Sequence, residues 1–260
     1  MKKELIFKIP LMFFLLISSI TSIRATTLSD SIKPLLKINK QFLVVVHIVR
    51  NQDGTAGISE AAIQSVLSQV NTLFNPIAAS FTVCEFTYID NFQYNMGLGR
   101  DAELDPLYRL THRINIYFTG EPGACGNSSF GGIDEYGNII IQKNCADVIT
   151  IGRELGHFFG LHYTFENTIP ELANGSNCST GGDAICDTPA DPLANGGALS
   201  EYIDPKTCAF IYKEVDANGD LYNPDVSNIM SYYSQCICLT FSHDQYQSMS
   251  NYYLSHVGTW

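Results

Sequence analysis

Basic charge is scarce in this 260-residue chain: 15 lysines and arginines stand against 26 aspartates and glutamates, a formal net charge of −11. Lys2, Lys3, Lys8 and Arg24, against Glu4 alone, give the first 25 residues a net +3, so the remainder stands at −14. A chain so short of cations lacks the electrostatic footprint of a nucleic-acid binder, and nucleic acid is set aside as a partner.

A second long apolar run is missing as well. The one at Leu5 to about Ile20 follows Lys2 and Lys3, is interrupted by Lys8 and Pro10, and reaches a small residue at Ala25. It falls short of the ~20 uninterrupted apolar residues of a membrane span and has the build of a secretory signal peptide. The expectation is an exported chain without a stable membrane span, cleaved after Ala25. Residues 26–41 form a short segment with no cysteine, and 42–260 form one domain, with an upper part to about 160 and a lower part from about 161. No repeat of fixed period and no low-complexity linker divides it. Paired cysteines at the spacing of a structural zinc site are absent too. The eight cysteines, at 84, 125, 145, 178, 186, 208, 236 and 238, hold one close pair, with a single residue between its members and no matching second pair. An even number of cysteines in an exported chain favours disulfides.

What the chain does contain begins with Phe42 to Val49, a continuous β-branched run typical of a strand buried on both faces, in which His47 reads as a satisfied core histidine. Ala62, Ile63, Val66, Leu67, Val70, Leu73 and Phe74 recur at helical spacing behind Ser59, a suitable N-cap. Further strands are expected at 81–88, 113–118 and 138–142, with the glycine-rich 125–132 as an edge strand. A helix follows from about Ala146 to Phe159, with Asn144 as a candidate cap and Gly160 placed to end it in the left-handed conformation. Gly, Pro, Asn and Asp then crowd residues 166–228, which reads as an irregular, cysteine-stapled lobe. Ser242-His243-Asp244-Gln245 has the form of a capping box opening a last helix that ends near Ser255.

The helix before Gly160 carries the functional signal. In HExxH, two histidines one turn apart grip a zinc ion and the intervening glutamate activates its water; GxxH adds a third ligand beyond a turn. Here the frame reads Arg153, Glu154, His157, Gly160 and Tyr163. Arginine offers no lone pair to a metal and keeps its charge, and tyrosine ligates only as phenolate. His162 stands one residue early.

Together with "VVVHIVRNQDGTAGISEAAIQ", "CGNSSFGGIDEYGNIIIQKN", "GGDAICDTPADP" and "NGDLYNPDVSNIMSYY", this helix resembles the pappalysin-type metzincins, secreted zinc endopeptidases whose helix commonly reads HELGHxxGLYHTF. The resemblance spans most of residues 42–250. It implies an α+β metzincin-like fold: a twisted mixed sheet with a backing helix and an active-site helix, then an irregular disulfide-stapled lower lobe ending in a helix. It makes Glu154 the catalytic carboxylate, His157 a zinc ligand, Met230 the Met-turn methionine and Tyr232 a stabiliser of the tetrahedral intermediate. It also implies a structural calcium near Asp183, Asp187 and Thr188, while Asp216, Asn218 and Asp220 alternate oxygen side chains without the final glutamate of an EF-hand. For the disulfides it suggests Cys178 with Cys208, and Cys186 with Cys236 or Cys238; Cys125 with Cys145 follows from their flanking of one hairpin.

With Arg153 and Tyr163 at two of three ligand positions, His157 and His162 are the histidines left for zinc. Three readings follow: a family member with weak or absent peptide hydrolysis, a pseudoprotease that binds peptides or proteins in the inherited cleft, or an active enzyme with a rearranged metal site. Arg153 itself either fills the metal's place and pairs internally or holds a ligand's carboxylate.

Overall fold

The computed structural model describes residues 33–96, 101–120, 123–133, 137–166, 168–193, 197–233 and 239–258. The expected signal segment lies outside these residues, as do Cys236 and Cys238. Leu35–Trp260 forms one compact unit. No helix among the described residues is long and apolar enough to cross a membrane.

Five strands make one mixed sheet: β1 (Lys40–Val49), β2 (Ala79–Ile89), β3 (Ile114–Thr119), β4 (Gly126–Ser128) and β5 (Asn138–Gln142), in the order β2-β1-β3-β5-β4. All neighbours are parallel except β4, which runs antiparallel to β5 at the edge. Parallel strands need cover on both faces, which explains the unbroken apolar run in β1. One face carries Phe42, Val44, Val46, Ile48, Ile116 and Phe118 into the main core. The other presents Val49, Ile89, Tyr117 and Ile140 to Tyr94 and Leu104.

Helix α1 (Glu60–Phe74) backs the main face through Ile63, Leu67, Val70 and Phe74, and its expected cap is present, Ser59 Oγ accepting from the Ala62 amide. Each such buried side chain contributes about 1.5–3 kcal/mol relative to exposure. Helix α3 (Val148–Phe158) packs on the same face. Its cap is Asp147, which accepts from Thr150, and not Asn144. A turn of 3-10 helix at Lys143–Cys145 takes up Asn144 and delays the helix by two residues. The short helix α2 (Asp101–Tyr108), with Pro106 inside it, had no counterpart in the sequence reading. Below α3 the chain is irregular apart from the single-turn α4 (Leu199–Tyr202), around a small core of Phe165, Leu193, Tyr202, Ile203 and Tyr233. It closes with α5 (His243–Ser255), whose capping box forms as expected between Ser242 and Gln245.

Cys125 is bonded to Cys145, joining the two ends of the β4–β5 hairpin. The other pairings implied by the resemblance are overturned: Cys178 bonds to Cys186, eight residues on, with Cα atoms 4.9 Å apart. The loop between them doubles back through Gly182 and Ala184, both at positive φ, which brings the two cysteines into bonding range. Cys178 is therefore not available to Cys208, nor Cys186 to Cys236 or Cys238. Cys208 is itself disulfide-bonded, and Cys84 on β2 is an exposed free thiol.

His47 is a satisfied core histidine, as read from the sequence. It is 1% exposed, lies 2.7 Å from Thr87 Oγ1 and 3.0 Å from Asn115 Oδ1, and stacks on Tyr117. Burial holds its pKa below the ordinary 6.5. The unfolded chain thus binds this proton more readily than the fold does, so stability is lost as pH falls below about 6.5. Urea midpoints taken from pH 7.5 down to 5 should fall less steeply in His47→Gln than in the parent; equal slopes would remove His47 from the account.

Candidate active site

Helix α3 is clasped between the edge strand and a downstream turn. Two of its glycines exist to allow this: a Cβ on Gly156 would meet Met230 Sδ at 2.6 Å, and one on Gly152 would meet Ile229 Cδ1 at 2.8 Å. On the other side, a Cβ on Gly126 of β4 would lie 2.6 Å from Glu154 Oε1. The downstream turn is fixed from within. Asn228 Oδ1 accepts from the Met230 amide at 2.9 Å and its Nδ2 donates to Gln245 of α5, leaving Met230 fully buried beneath the helix.

Arg153 and His157 stand one turn apart on α3, as the spacing required, but they serve different neighbours. The Arg153 side chain runs into the turn, its Nε donating to Ile229 O at 2.9 Å and its Nη2 to Ser231 O at 2.8 Å. Its guanidinium lies 5.2 Å from the centre of the Tyr232 ring. Burial holds this group below its usual pKa, countered by Tyr163, Glu154 and Tyr232. His157 is 8% exposed; its Nδ1 is 2.7 Å from Leu161 O, and its Nε2 is buried with no hydrogen-bond partner. Burial, with Arg153 and His162 adding to it, brings its pKa down to about 4 despite the Leu161 hydrogen bond. Glu154 is 4% exposed and accepts from Ser128 Oγ at 2.7 Å. Its pKa is raised by burial, opposed by Ser128 and Arg153.

The residues past Gly160, which has φ +84° as expected of the helix end, complete a cleft of about 220 Å³. Glu154, His157, His162, Tyr163 and Glu166 line it, facing Gly126 to Ser128 and Phe130. Tyr163 is hydrogen-bonded to Tyr232 and half-buried, and burial raises its pKa. Its phenol therefore stays protonated. His162 is exposed, stacks on Phe130 at 4.2 Å between ring centres, and has Nδ1 3.8 Å from Glu166.

These residues do not fit the catalytic zinc that the resemblance implies. Three protein ligands are usual for such an ion. Among the described residues, the one group of three His, Cys, Asp or Glu ligand atoms lying within 4.8 Å of one another is Asp187, His243 and Asp244, outside this cleft. Arg153 donates to carbonyls, Tyr163 keeps its proton, and His162 packs on Phe130. Of the three residues at the motif's ligand positions, Arg153, His157 and Tyr163, His157 alone presents a free lone pair.

The residues expected to hold calcium differ in how far their oxygens are already bonded. Asp216 accepts from the backbone amides of Asn218, Asp220 and Ala173, and Asp220 from the Asn174 side chain, the bonding pattern of an Asx-rich turn. Asp187 caps α5, accepting from Ser242 Oγ and the Asp244 amide. Asp183 remains: its Oδ1 accepts from Thr188 Oγ1 and the Ile185 amide, while Oδ2 is buried without a partner. Beside it is Glu171, 7% exposed and missed by the sequence reading. Burial pushes both carboxyls up to about 7, the Asp183 charge adding to the shift of Glu171 and the Asp187 charge to that of Asp183. Two buried carboxylates with an orphaned oxygen fit a hard cation. Ser128, Phe130, Glu166 and Glu171 carried no sequence signal, since each acquires its place from contacts across the fold.

No family model matches the chain, and no curated protein matches it. Among solved structures it is similar to mature mirolysin of Tannerella forsythia in complex with a cleaved peptide. That match has a TM-score of 0.58 and 18% identity, over 80% of this chain and 89% of that one. Metalloproteinase-II from Bacteroides fragilis matches at a TM-score of 0.34 and 14% identity, over 49% of this chain and 44% of that one, too distant to carry an argument. At these identities the first likeness speaks to architecture, and the chain has the fold of mature mirolysin.

Proposed function

We propose that this protein is an exported relative of the pappalysin-type metallopeptidases whose cleft binds a polypeptide with peptide hydrolysis weak or absent. One observation carries the reading: Arg153, at the first ligand position, sends its donors into the carbonyls of Ile229 and Ser231. Without a held metal there is no acidified water for Glu154 to deprotonate. The internal pairing of Arg153 is the observed one, so a ligand carboxylate is not its partner in this reading. The stacking of His162 on Phe130 does not favour a rearranged His157 and His162 site. The fold-mate mirolysin holds a cleaved peptide, which supports a polypeptide as the ligand here. The disulfides support an oxidising compartment. We further propose that Asp183 and Glu171 hold a calcium ion that braces the loop closed by Cys178 and Cys186.

Purified protein should carry almost no zinc, whereas the triple variant Arg153→His, His162→Tyr, Tyr163→His should take up roughly one equivalent. Stoichiometric zinc with chelator-sensitive casein hydrolysis in the natural sequence would overturn the proposal, as would failure to retain any peptide on an array of immobilised linear peptides. Arg153→His alone, in zinc-free buffer, should lower unfolding free energy by about 2–3 kcal/mol, because two buried carbonyls lose charged donors; an unchanged urea midpoint counts against the clasp. Calcium at a hundredfold excess over its Kd should add about 2.7 kcal/mol, seen as a rise in Tm over chelator-treated protein. Asp183→Asn should abolish that rise, and a rise that survives places the ion elsewhere.

A further inference from the structure

We infer that the cleft seats a primary ammonium group of its polypeptide ligand, a lysine side chain or a free amino terminus, between His157 Nε2 and the Glu154 carboxylate. The inference rests on the peptide-binding reading above and names the chemistry of its ligand.

The tautomer of His157 is fixed by its surroundings. A carbonyl only accepts, so the 2.7 Å contact with Leu161 O places the imidazole proton on Nδ1. Nε2 is then a bare lone pair, buried with nothing donating to it, on a residue that lines the cleft. A buried acceptor left without a donor is rare in folded proteins and points to something that completes it on binding. Glu154, on the same wall, has one oxygen accepting from Ser128 and the other, Oε1, without a hydrogen bond. Glu166 adds a second carboxylate to the lining.

The donors nearest Glu154 are committed, Ser128 to Glu154 itself and Tyr163 to Tyr232, while His162 and Asn127 stand on the exposed rim of the cleft. Arg153 does not line the cleft, its Nε and Nη2 facing the carbonyls of the turn. The buried part of the site therefore offers lone pairs and negative charge, its free donors lying on the exposed rim. A metal ion would need more ligand atoms than converge here, whereas an ammonium asks only for acceptors. Its three N–H bonds diverge in space, which suits acceptors on separate elements; the planar fork of a guanidinium suits a single carboxylate. A space of about 220 Å³ takes the end of an alkylammonium chain.

The test uses the full exported chain labelled with 15N-histidine and four soluble probes: Nα-acetyl-lysine methylamide, its Nε-acetylated form, alanine methylamide with a free α-amino group, and zinc chloride. The expected result is a saturable shift of the His157 Nε2 resonance by the first probe and none by its acetylated form. Glu154→Gln should weaken the response at least tenfold. The alanine probe tells which ammonium the site prefers, a shift by either one supporting the inference. An equal shift by the acetylated probe overturns it, as does a resonance moved by stoichiometric zinc and by neither ammonium. Array peptides that bind equally before and after acetylation of all their amines overturn this inference and leave the peptide-binding reading standing. An array that retains nothing overturns that reading, while the lysine probe still reports on the ammonium seat.

Discussion

The guanidinium of Arg153 sits between one helix and one turn, and the character of the cleft follows from the direction in which it points. Burying a charged group costs several kcal/mol in lost hydration, and it persists where enough acceptors surround it. Here two carbonyls and the Tyr232 ring supply that surrounding. With the Arg153 donors drawn to that side, Ser128 is the donor left to Glu154, and His157 Nε2 has none. Their opposite pKa shifts have one main cause, burial, which favours the neutral form of each.

The clasp also shows why small residues recur along α3. Gly152 and Gly156 let Ile229 and Met230 approach the helix backbone, and Gly126 lets β4 approach Glu154 from the other side. The helix is thus held at a fixed depth between strand and turn, and the carboxylate and imidazole inherit that placement. The turn is in turn held to α5 through the Asn228 and Gln245 pair, so the last helix of the chain takes part in positioning the first residues of the site.

Local signals were legible in the sequence wherever one element decides the outcome. The β-branched run of β1, the caps at Ser59 and Ser242, and the stop at Gly160 are short-range matters, and they appear where the pattern placed them. The start of α3 was misread because Asn144 and Asp147 are both good caps, and only the intervening turn at Lys143 selects the second. Helix α2 escaped notice because Pro106 interrupts it and few apolar residues mark a face. Within the site, the spacing of Arg153, Glu154 and His157 could be read, but not the direction of Arg153, which is set by carbonyls 76 and 78 residues away. The Cys178 to Cys186 bond was hidden for the opposite reason: a fold-back inside one loop outweighed the longer pairings that the resemblance suggested.

The internal bonding of Arg153 also bears on how such a chain could change over generations. A histidine at 153 would strip two carbonyls of their donors while Tyr163 still kept its proton, so one substitution would loosen the fold before any metal could repay the loss. A sequence with histidine at 153 and tyrosine at 163 is therefore expected to be less stable than the present one, and proteins held just above their stability threshold do not tolerate many such steps. The same two hydrogen bonds that settle the shape of the cleft therefore resist substitution at position 153.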